Sequence, residues 1–322
     1  MKRIVVTGGA GFIGSGVVKH LNNLGYSNLI IVDDLGNGQK WKNLVGKSFE
    51  TIVPIHSFFD WVKGRESEID AYIHLGACSS TTETDADFLL ENNYRYSVRL
   101  AEIALQNDSR FIYASSAATY GDGSRGFSDD HDGLELLKPL NMYGYSKQLF
   151  DLWLKRQGAL NDVVGLKYFN VYGPNEWHKD EMASAVLKMY PSIALGKPVS
   201  LFQSNDKQYA DGDQCRDFIY VKDAVRMTCE FLHNTCGGIY NIGTGNPTTW
   251  NQLMTAIFQA AEKPAQITYI PMPQKLYNQY QNFTCATVDK TKKALGNQSE
   301  CLSLTRAIED YVVNHLKEDL TW

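Results

Sequence analysis

Tyr143 and Lys147 stand four residues apart in Tyr143-Gly-Tyr-Ser-Lys147, so on a helix they share one face. A phenol with a pKa of about 10 is a poor base at neutral pH, and an adjacent ammonium favours the phenolate and lowers that pKa. Such a tyrosine could take the proton of a substrate hydroxyl while hydride leaves the same carbon for a nicotinamide, with the lysine also holding the nicotinamide ribose. Y-x-x-x-K on its own is a common surface pair. It gains meaning from Tyr113-Ala-Ser-Ser-Ala-Ala-Thr-Tyr120, where an apolar strand would end in hydroxyls at the carboxyl edge of a sheet, the edge at which open α/β folds bind ligands. Ser116 is the chosen third member, donating a hydrogen bond to the substrate oxygen; Ser115 and Thr119 are the alternatives.

The elements that must position these groups begin at the amino end. Gly8, Gly11 and Gly14 form G-x-x-G-x-x-G between the apolar run Ile4-Val-Val6 and a helical pattern over Ser15 to Leu24. Glycines there permit a tight turn, close backbone approach to a pyrophosphate and close helix packing, and the helix start presents free N–H groups to the phosphates. Asp33 closes the next apolar run, Leu29-Ile-Ile-Val32, where it could accept from a ribose 2′-hydroxyl and favour NAD. Lys40 in the following loop could neutralise the 2′-phosphate of NADP, so both cofactors stay open.

Apolar runs at Ala71 to Leu75, Phe111 to Ala114 and Val163 to Leu166 alternate with helical stretches near Asn93 to Leu105 and Tyr143 to Leu154. That rhythm predicts an α/β fold, a doubly wound parallel Rossmann-type sheet. After Phe169, Pro174, Pro191, Pro198 and a polar stretch from Gln203 to Gln214 interrupt it, which predicts a second, smaller α/β substrate lobe. Asp217-Phe-Ile-Tyr-Val221 and Gly238-Ile-Tyr-Asn-Ile242 read as strands returning to the sheet. The expected division is residues 1–169 with about 217–243 for the dinucleotide and 170–216 with about 244–322 for the substrate.

Composition sets the outer limits. Across 322 residues, 31 Lys plus Arg against 36 Asp plus Glu give a net charge of −5, which offers no global attraction to nucleic acid or to an acidic membrane. The six cysteines are scattered, without C-x-x-C or metal-ligand spacing, so reduced thiols, no metal and a cytoplasmic location are expected. No run reaches the length of a membrane span.

Taken in order, Gly76-Ala-Cys-Ser-Ser-Thr-Thr-Glu83, Asn92-Asn-Tyr94, Ser115-Ser-Ala-Ala-Thr-Tyr-Gly121, Tyr143-Gly-Tyr-Ser-Lys147, Tyr168-Phe-Asn-Val-Tyr-Gly-Pro174, His178-Lys179 and Arg216-Asp-Phe218 resemble the extended short-chain dehydrogenase/reductases that act on nucleotide sugars, and within them the heptose epimerases. The segment Cys78 to Glu83 and the pair His178-Lys179 are the more specific signals. The resemblance implies transient oxidation and re-reduction at C6 of an ADP-heptose, with the cofactor regenerated each turnover, two acid/base groups matching Tyr143 and Lys179, and a homo-oligomer. It implies that Phe12, Ile13, Asp34, Leu75, Gly76, Ala77, Cys78, Ser79, Asn92, Val171 and Lys179 join the cofactor residues already named. It further implies that Asn170, Glu181, Lys188, Phe202, Gln203, Ser204, Asn205, Arg216 and Tyr280 bind the nucleotide sugar with Ser116. Arg216 suits a diphosphate clamped bidentately, and Asn170 suits sugar hydroxyls. Three departures stand out: Leu75 where an acidic residue is usual, Lys167 where an arginine is usual, and a longer stretch from Asn205 to Cys215.

Two other readings differ in chemistry. A 4,6-dehydratase needs Thr-Asp-Glu where Ser116-Ala-Ala118 stands, and a UDP-hexose 4-epimerase fits poorly with His178-Lys179. A non-enzymatic NAD(P)-binding sensor on the same fold has no need of Ser116, Tyr143 and Lys147 together.

Overall fold

The computed structural model describes residues 3–277 and 280–322. Its strands are β1 (Arg3–Thr7), β2 (Leu29–Val32), β3 (Thr51–Val53), β4 (Ile69–His74), β5 (Arg110–Ser116), β6 (Val164–Tyr168), β7 (Asn170–Tyr172), β8 (Val199–Phe202), β9 (Cys215–Arg216), β10 (Phe218–Tyr220), β11 (Gly238–Ile242), β12 (Thr248–Thr249) and β13 (Ile267–Ile270). Seven of them form one parallel sheet in the order β11-β6-β5-β4-β1-β2-β3. Side chains alternate between its faces with period two: Ile4, Val6, Leu29, Ile31 and Ile73 enter the core on one side, while Val5, Ile30, Tyr72 and Phe111 enter the core on the other. Burial on both faces explains why these strands read as continuous apolar runs.

All seven carboxyl ends reach the same edge, and the strand order reverses between β1 and β4. That reversal opens a crevice there, flanked by the loops after Thr7 and His74.

The smaller lobe pairs β8 with β13 in parallel and β9 with β12 antiparallel, packed with the helices Ala185–Ala194, Trp250–Ala260 and Leu304–Tyr311. Two expectations are corrected. The run Asp217 to Val221 does not return to the main sheet: Phe218–Tyr220 pairs with β7 as a separate two-stranded sheet, and Val221 starts a helix with Asp223 in its first turn. β11 already takes the place beside β6, which leaves that edge filled. Pro191, read as an interruption, lies inside the helix Ala185–Ala194, which the Ser184 side chain caps and whose Val186 and Ile193 are buried. All six cysteines are free thiols, and among the described residues no helix is long and apolar enough to cross a membrane.

Candidate active site

The glycine loop is held by its own backbone. Gly8 N–H donates to the Val32 carbonyl at 2.8 Å and Gly11 N–H donates to the Gly8 carbonyl at 2.9 Å. Gly8 takes a φ of +68°, a conformation that costs glycine little. A Cβ at Gly14 would lie 2.1 Å from the Gly8 carbonyl oxygen, so helix Phe12–Asn23 approaches the turn as closely as glycine allows. No side chain caps that helix at Gly11, so its first N–H groups remain available to an anion. This cradle fits a dinucleotide pyrophosphate. Gly14→Ala is therefore expected to lower dinucleotide affinity by more than about tenfold, read by titration of the stripped protein and by mass spectrometry of what co-purifies; a variant that retains its dinucleotide would contradict the fit.

At the end of β2, Asp33 is only 4% exposed. It accepts from Ala10 N–H and Asp34 N–H, each at 2.9 Å, and is ion-paired with Lys40.

Tyr143 and Lys147 sit on helix Met142–Arg156, capped by the Asn141 side chain accepting from Gly144 N–H at 2.8 Å. Gly144 lets the helix start press against the turn Ala117–Tyr120 that follows β5, since a Cβ there would lie 2.7 Å from the Ala118 carbonyl oxygen. This approach brings the Tyr143 phenol into a hydrogen bond with Ser116. The two alternative hydroxyls are committed elsewhere: Ser115 Oγ donates to Asp151 at 2.8 Å, and Thr119 Oγ1 donates to the Ser116 carbonyl at 2.8 Å.

One electrostatic expectation is corrected. Lys147 donates to the Ala114 carbonyl at 2.8 Å, and the Tyr143 phenol is pushed above its ordinary value by burial, with the Ser116 hydrogen bond opposing. Burial likewise takes the Lys147 ammonium down to about 8, against the pull of Asp151. Desolvation is the largest effect at both groups, over the Ser116 hydrogen bond at Tyr143 and over the Asp151 charge at Lys147.

Lys179 comes from a different segment, the turn Trp177–Met182, which is kinked at Asp180. Its ammonium stands 5.4 Å from the centre of the Phe12 ring, and burial lowers its pKa. His178 beside it is brought down to about 4 by burial and by Lys40 and Lys179, which keeps it neutral near neutral pH.

A cleft of about 750 Å³ unites these parts. Gly8, Gly11, Phe12, Ile13, Gly14, Asp33, Asp34, Lys40, Leu75, Gly76, Ala77, Cys78, Ser79, Asn92, Ser116, Tyr143, Lys147, Val171 and Lys179 all line it. Apart from Ser116, the nucleotide-sugar residues implied by resemblance lie outside that lining and divide. Arg216, 7% exposed, has its guanidinium 5.0 Å from the Tyr280 ring, which packs edge-on against Phe202. Ser204 and Asn205 are tied into loops, Ser204 N–H to Asp211 and Asn205 Nδ2 to the Tyr277 carbonyl. Asn170, Glu181, Lys188 and Gln203 are exposed, and Lys188 donates to the Glu181 carbonyl. A larger cleft of about 1160 Å³ between helix Trp250–Ala260 and the segment Gly296 to Thr305 contains none of the candidate residues.

Several residues of the site were missed by the sequence reading. Asn93, next to the named Asn92, accepts from Cys78 N–H and donates to the Cys78 carbonyl, both at 2.9 Å, and reaches Ser146 at 3.0 Å. It fastens the loop after β4 to the catalytic helix, and its position in Asn92-Asn-Tyr94 was the available signal. Asp151, fully buried, accepts from Tyr113 at 2.9 Å and Ser115 at 2.8 Å and pairs with buried Lys167 at 3.3 Å.

With this geometry in place, the chain is assigned to a class: it belongs to the NAD-dependent epimerase/dehydratase family, whose model matches residues 4–243. Among its relatives, ADP-L-glycero-D-manno-heptose-6-epimerase of Nitratidesulfovibrio vulgaris is 50% identical over 315 residues, 97% of each chain. The protein of the same name from Fusobacterium nucleatum is 43% identical over 98% of this chain and 99% of its own. Among solved structures, the Helicobacter pylori ADP-L-glycero-D-manno-heptose-6-epimerase superposes with a TM-score of 0.81 at 29% identity, covering 97% of this chain and 96% of that one. UDP-glucose 4-epimerase from Thermotoga maritima superposes with a TM-score of 0.79 at 26% identity, covering 98% and 99%.

Proposed function

We propose that this chain epimerises ADP-D-glycero-D-manno-heptose to ADP-L-glycero-D-manno-heptose at C6, making a precursor of the lipopolysaccharide inner core. The observation that carries the reading is the convergence of the glycine loop, the Ser116–Tyr143–Lys147 group and Lys179 on one cleft. The names of full-length relatives at 43% to 50% identity support the substrate.

When bound, the dinucleotide supplies the hydride acceptor and donor, removing the C6 hydrogen and returning it. The chain's own residues handle the oxygen. Ser116 donates a hydrogen bond to it and aligns it with Tyr143. The C6 hydroxyl points to opposite sides in the two epimers, so two proton-handling groups are needed. Tyr143 takes or gives the proton on one side. Lys179 does so on the other, the burial that lowers its pKa favouring the neutral amine. One group takes the hydroxyl proton as the C6 carbonyl forms, the other gives a proton as the hydroxyl is restored, and both re-equilibrate with solvent. Lys147 holds the nicotinamide ribose. Arg216 over Tyr280 takes the diphosphate, Asn170 the sugar hydroxyls, and Glu181, Lys188 and Phe202 to Asn205 the rest of the nucleotide sugar. The dinucleotide lobe is then 1–169 with about 217–243, the sugar lobe 170–216 with about 244–322, and the active form is a cytoplasmic homo-oligomer.

NADP is the cofactor of this reading, with NAD as the alternative. Two main-chain donors already satisfy Asp33, and Lys40, now ion-paired with it, is the cation that would turn to a 2′-phosphate. Lys40→Ala is expected to weaken NADP binding by about tenfold and NAD binding far less, in a fluorescence titration of both; equal losses would favour NAD. The reaction itself is tested from both directions. Either heptose epimer supplied alone should reach the same mixture, and an outcome that depends on the starting epimer rejects the proposal.

A further inference from the structure

The turn that carries Lys179 hangs from a buried carboxylate three residues before it. Glu176 is 1% exposed. Gly173 N–H donates to its Oε1 at 3.2 Å, and Ser184 N–H donates to its Oε2 at 2.6 Å. Ser184 Oγ and the Tyr311 phenol add bonds to Oε1 at 2.6 and 3.1 Å. Main-chain N–H groups can only donate, and both oxygens accept from one; these bonds favour the ionised carboxylate against the burial that raises its pKa. Glu176 thereby closes the loop from Gly173 to Ser184, with Trp177–Met182 inside it, and pins it to helix Leu304–Tyr311. Asn175, 1% exposed, anchors the same loop to Ser15 behind the glycine turn through Nδ2 at 3.0 Å.

We infer that Glu176 is a positioning residue for Lys179, fixing where its ammonium sits in the cleft by holding closed the loop that carries it. The inference rests on the reading of Lys179 as an acid/base group. Burial lowers the Lys179 pKa and the Glu176 charge is the effect that opposes it. The other titratable groups around this turn are His178, neutral near neutral pH, Lys40, Lys42 over the Trp177 ring, and exposed Asp180, Glu181 and Lys188. Tyr311 bears on Lys179 only through Glu176.

The test uses the full chain as purified, with Glu176→Gln, which keeps the shape and removes the charge, and Glu176→Asp, which keeps the charge and shortens the reach. Competitive labelling of Lys179 by acetic anhydride across pH, read by peptide mass spectrometry, reports its titration without depending on activity. The labelling midpoint is expected to move to lower pH in Glu176→Gln and to stay at its native position in Glu176→Asp. A midpoint that moves in both variants or in neither overturns the inference. In epimerisation assays, kcat should fall on the order of tenfold in both variants with KM and bound dinucleotide unchanged, and in Glu176→Gln the pH–rate limb should shift with the labelling midpoint. If Glu176→Gln does not fold, Glu176→Asp decides: reduced kcat at native KM supports the role, and native kcat removes it. A native protein that never epimerises the heptose, with labelling that still shifts, would sink the substrate reading and leave the pairing of Glu176 with Lys179 intact.

Discussion

Tyr143→Phe is expected to lower epimerisation by about 10²- to 10⁴-fold, the usual contribution of a general acid/base group, and Tyr143→Phe combined with Lys179→Met to abolish it. The phenol is the group hydrogen-bonded to Ser116 and is held protonated by burial, so its loss removes proton transfer on one side of C6. Lys179→Met alone should have a comparable effect, because inversion requires both sides and neither group can serve the other's. Dinucleotide content should be retained in all three variants, since the pyrophosphate cradle is built from backbone of the glycine loop. Steady-state rates with co-purified dinucleotide as a control measure this. A double variant that still epimerises at a tenth of the native rate would remove the two-group account.

Lys167→Met should produce the largest loss of stability. Lys167 is 0% exposed, pairs with Asp151 at 3.3 Å, donates to Thr119 at 2.6 Å and lies 4.7 Å from the centre of the Tyr120 ring. Removing one member of a buried pair leaves the other as an uncompensated charge, at a cost of about 3–5 kcal/mol. Asp151 would keep only the Tyr113 and Ser115 hydroxyls. The expected result is a Tm lowered by at least about 5 °C, with activity falling as well because Ser115 and Thr119 flank Ser116. Lys167→Met with Asp151→Asn should recover much of the loss, since the amide oxygen can accept from one of the two hydroxyls and its NH2 donate to the other, without a charge to compensate. A double variant no more stable than Lys167→Met would show that packing, and not the charge pair, sets the cost.

These two cases mark where local spacing is informative and where it is not. The Gly8-Gly11-Gly14 turn, Asp33 and the Tyr143–Lys147 face were legible because each depends on residues close in sequence and on one period of repeat. β11 was legible as a returning strand because a strand buried on both faces is apolar throughout. β10 also reads as a short apolar strand, yet pairs with β7, because pairing partners are chosen by topology and local pattern does not encode them. The sign of the Tyr143 shift was misread for a related reason: a neighbouring ammonium is visible at i+4, whereas the desolvation that sets the direction comes from everything packed around the phenol. Asp151, Asn175 and Glu176 were missed because their partners are remote in sequence. Asn175 meets Ser15 and Trp322, and Glu176 meets Tyr311. Lys167 was noticed only as a departure from arginine, and its role emerges from the buried carboxylate it faces.

The central claim is transient oxidation and re-reduction at C6 within one cleft, and it is tested most directly by NMR in D₂O. The purified protein, with whatever dinucleotide it retains, is incubated with ADP-D-glycero-D-manno-heptose while configuration and isotope at C6 are followed. The account predicts that the L-glycero epimer accumulates without added cofactor and that C6 keeps its original hydrogen, because that hydrogen is carried away and returned. Deuterium at C6 in the product would replace this chemistry with deprotonation, and an inert heptose alongside a UDP-hexose inverted at C4 would contradict the substrate.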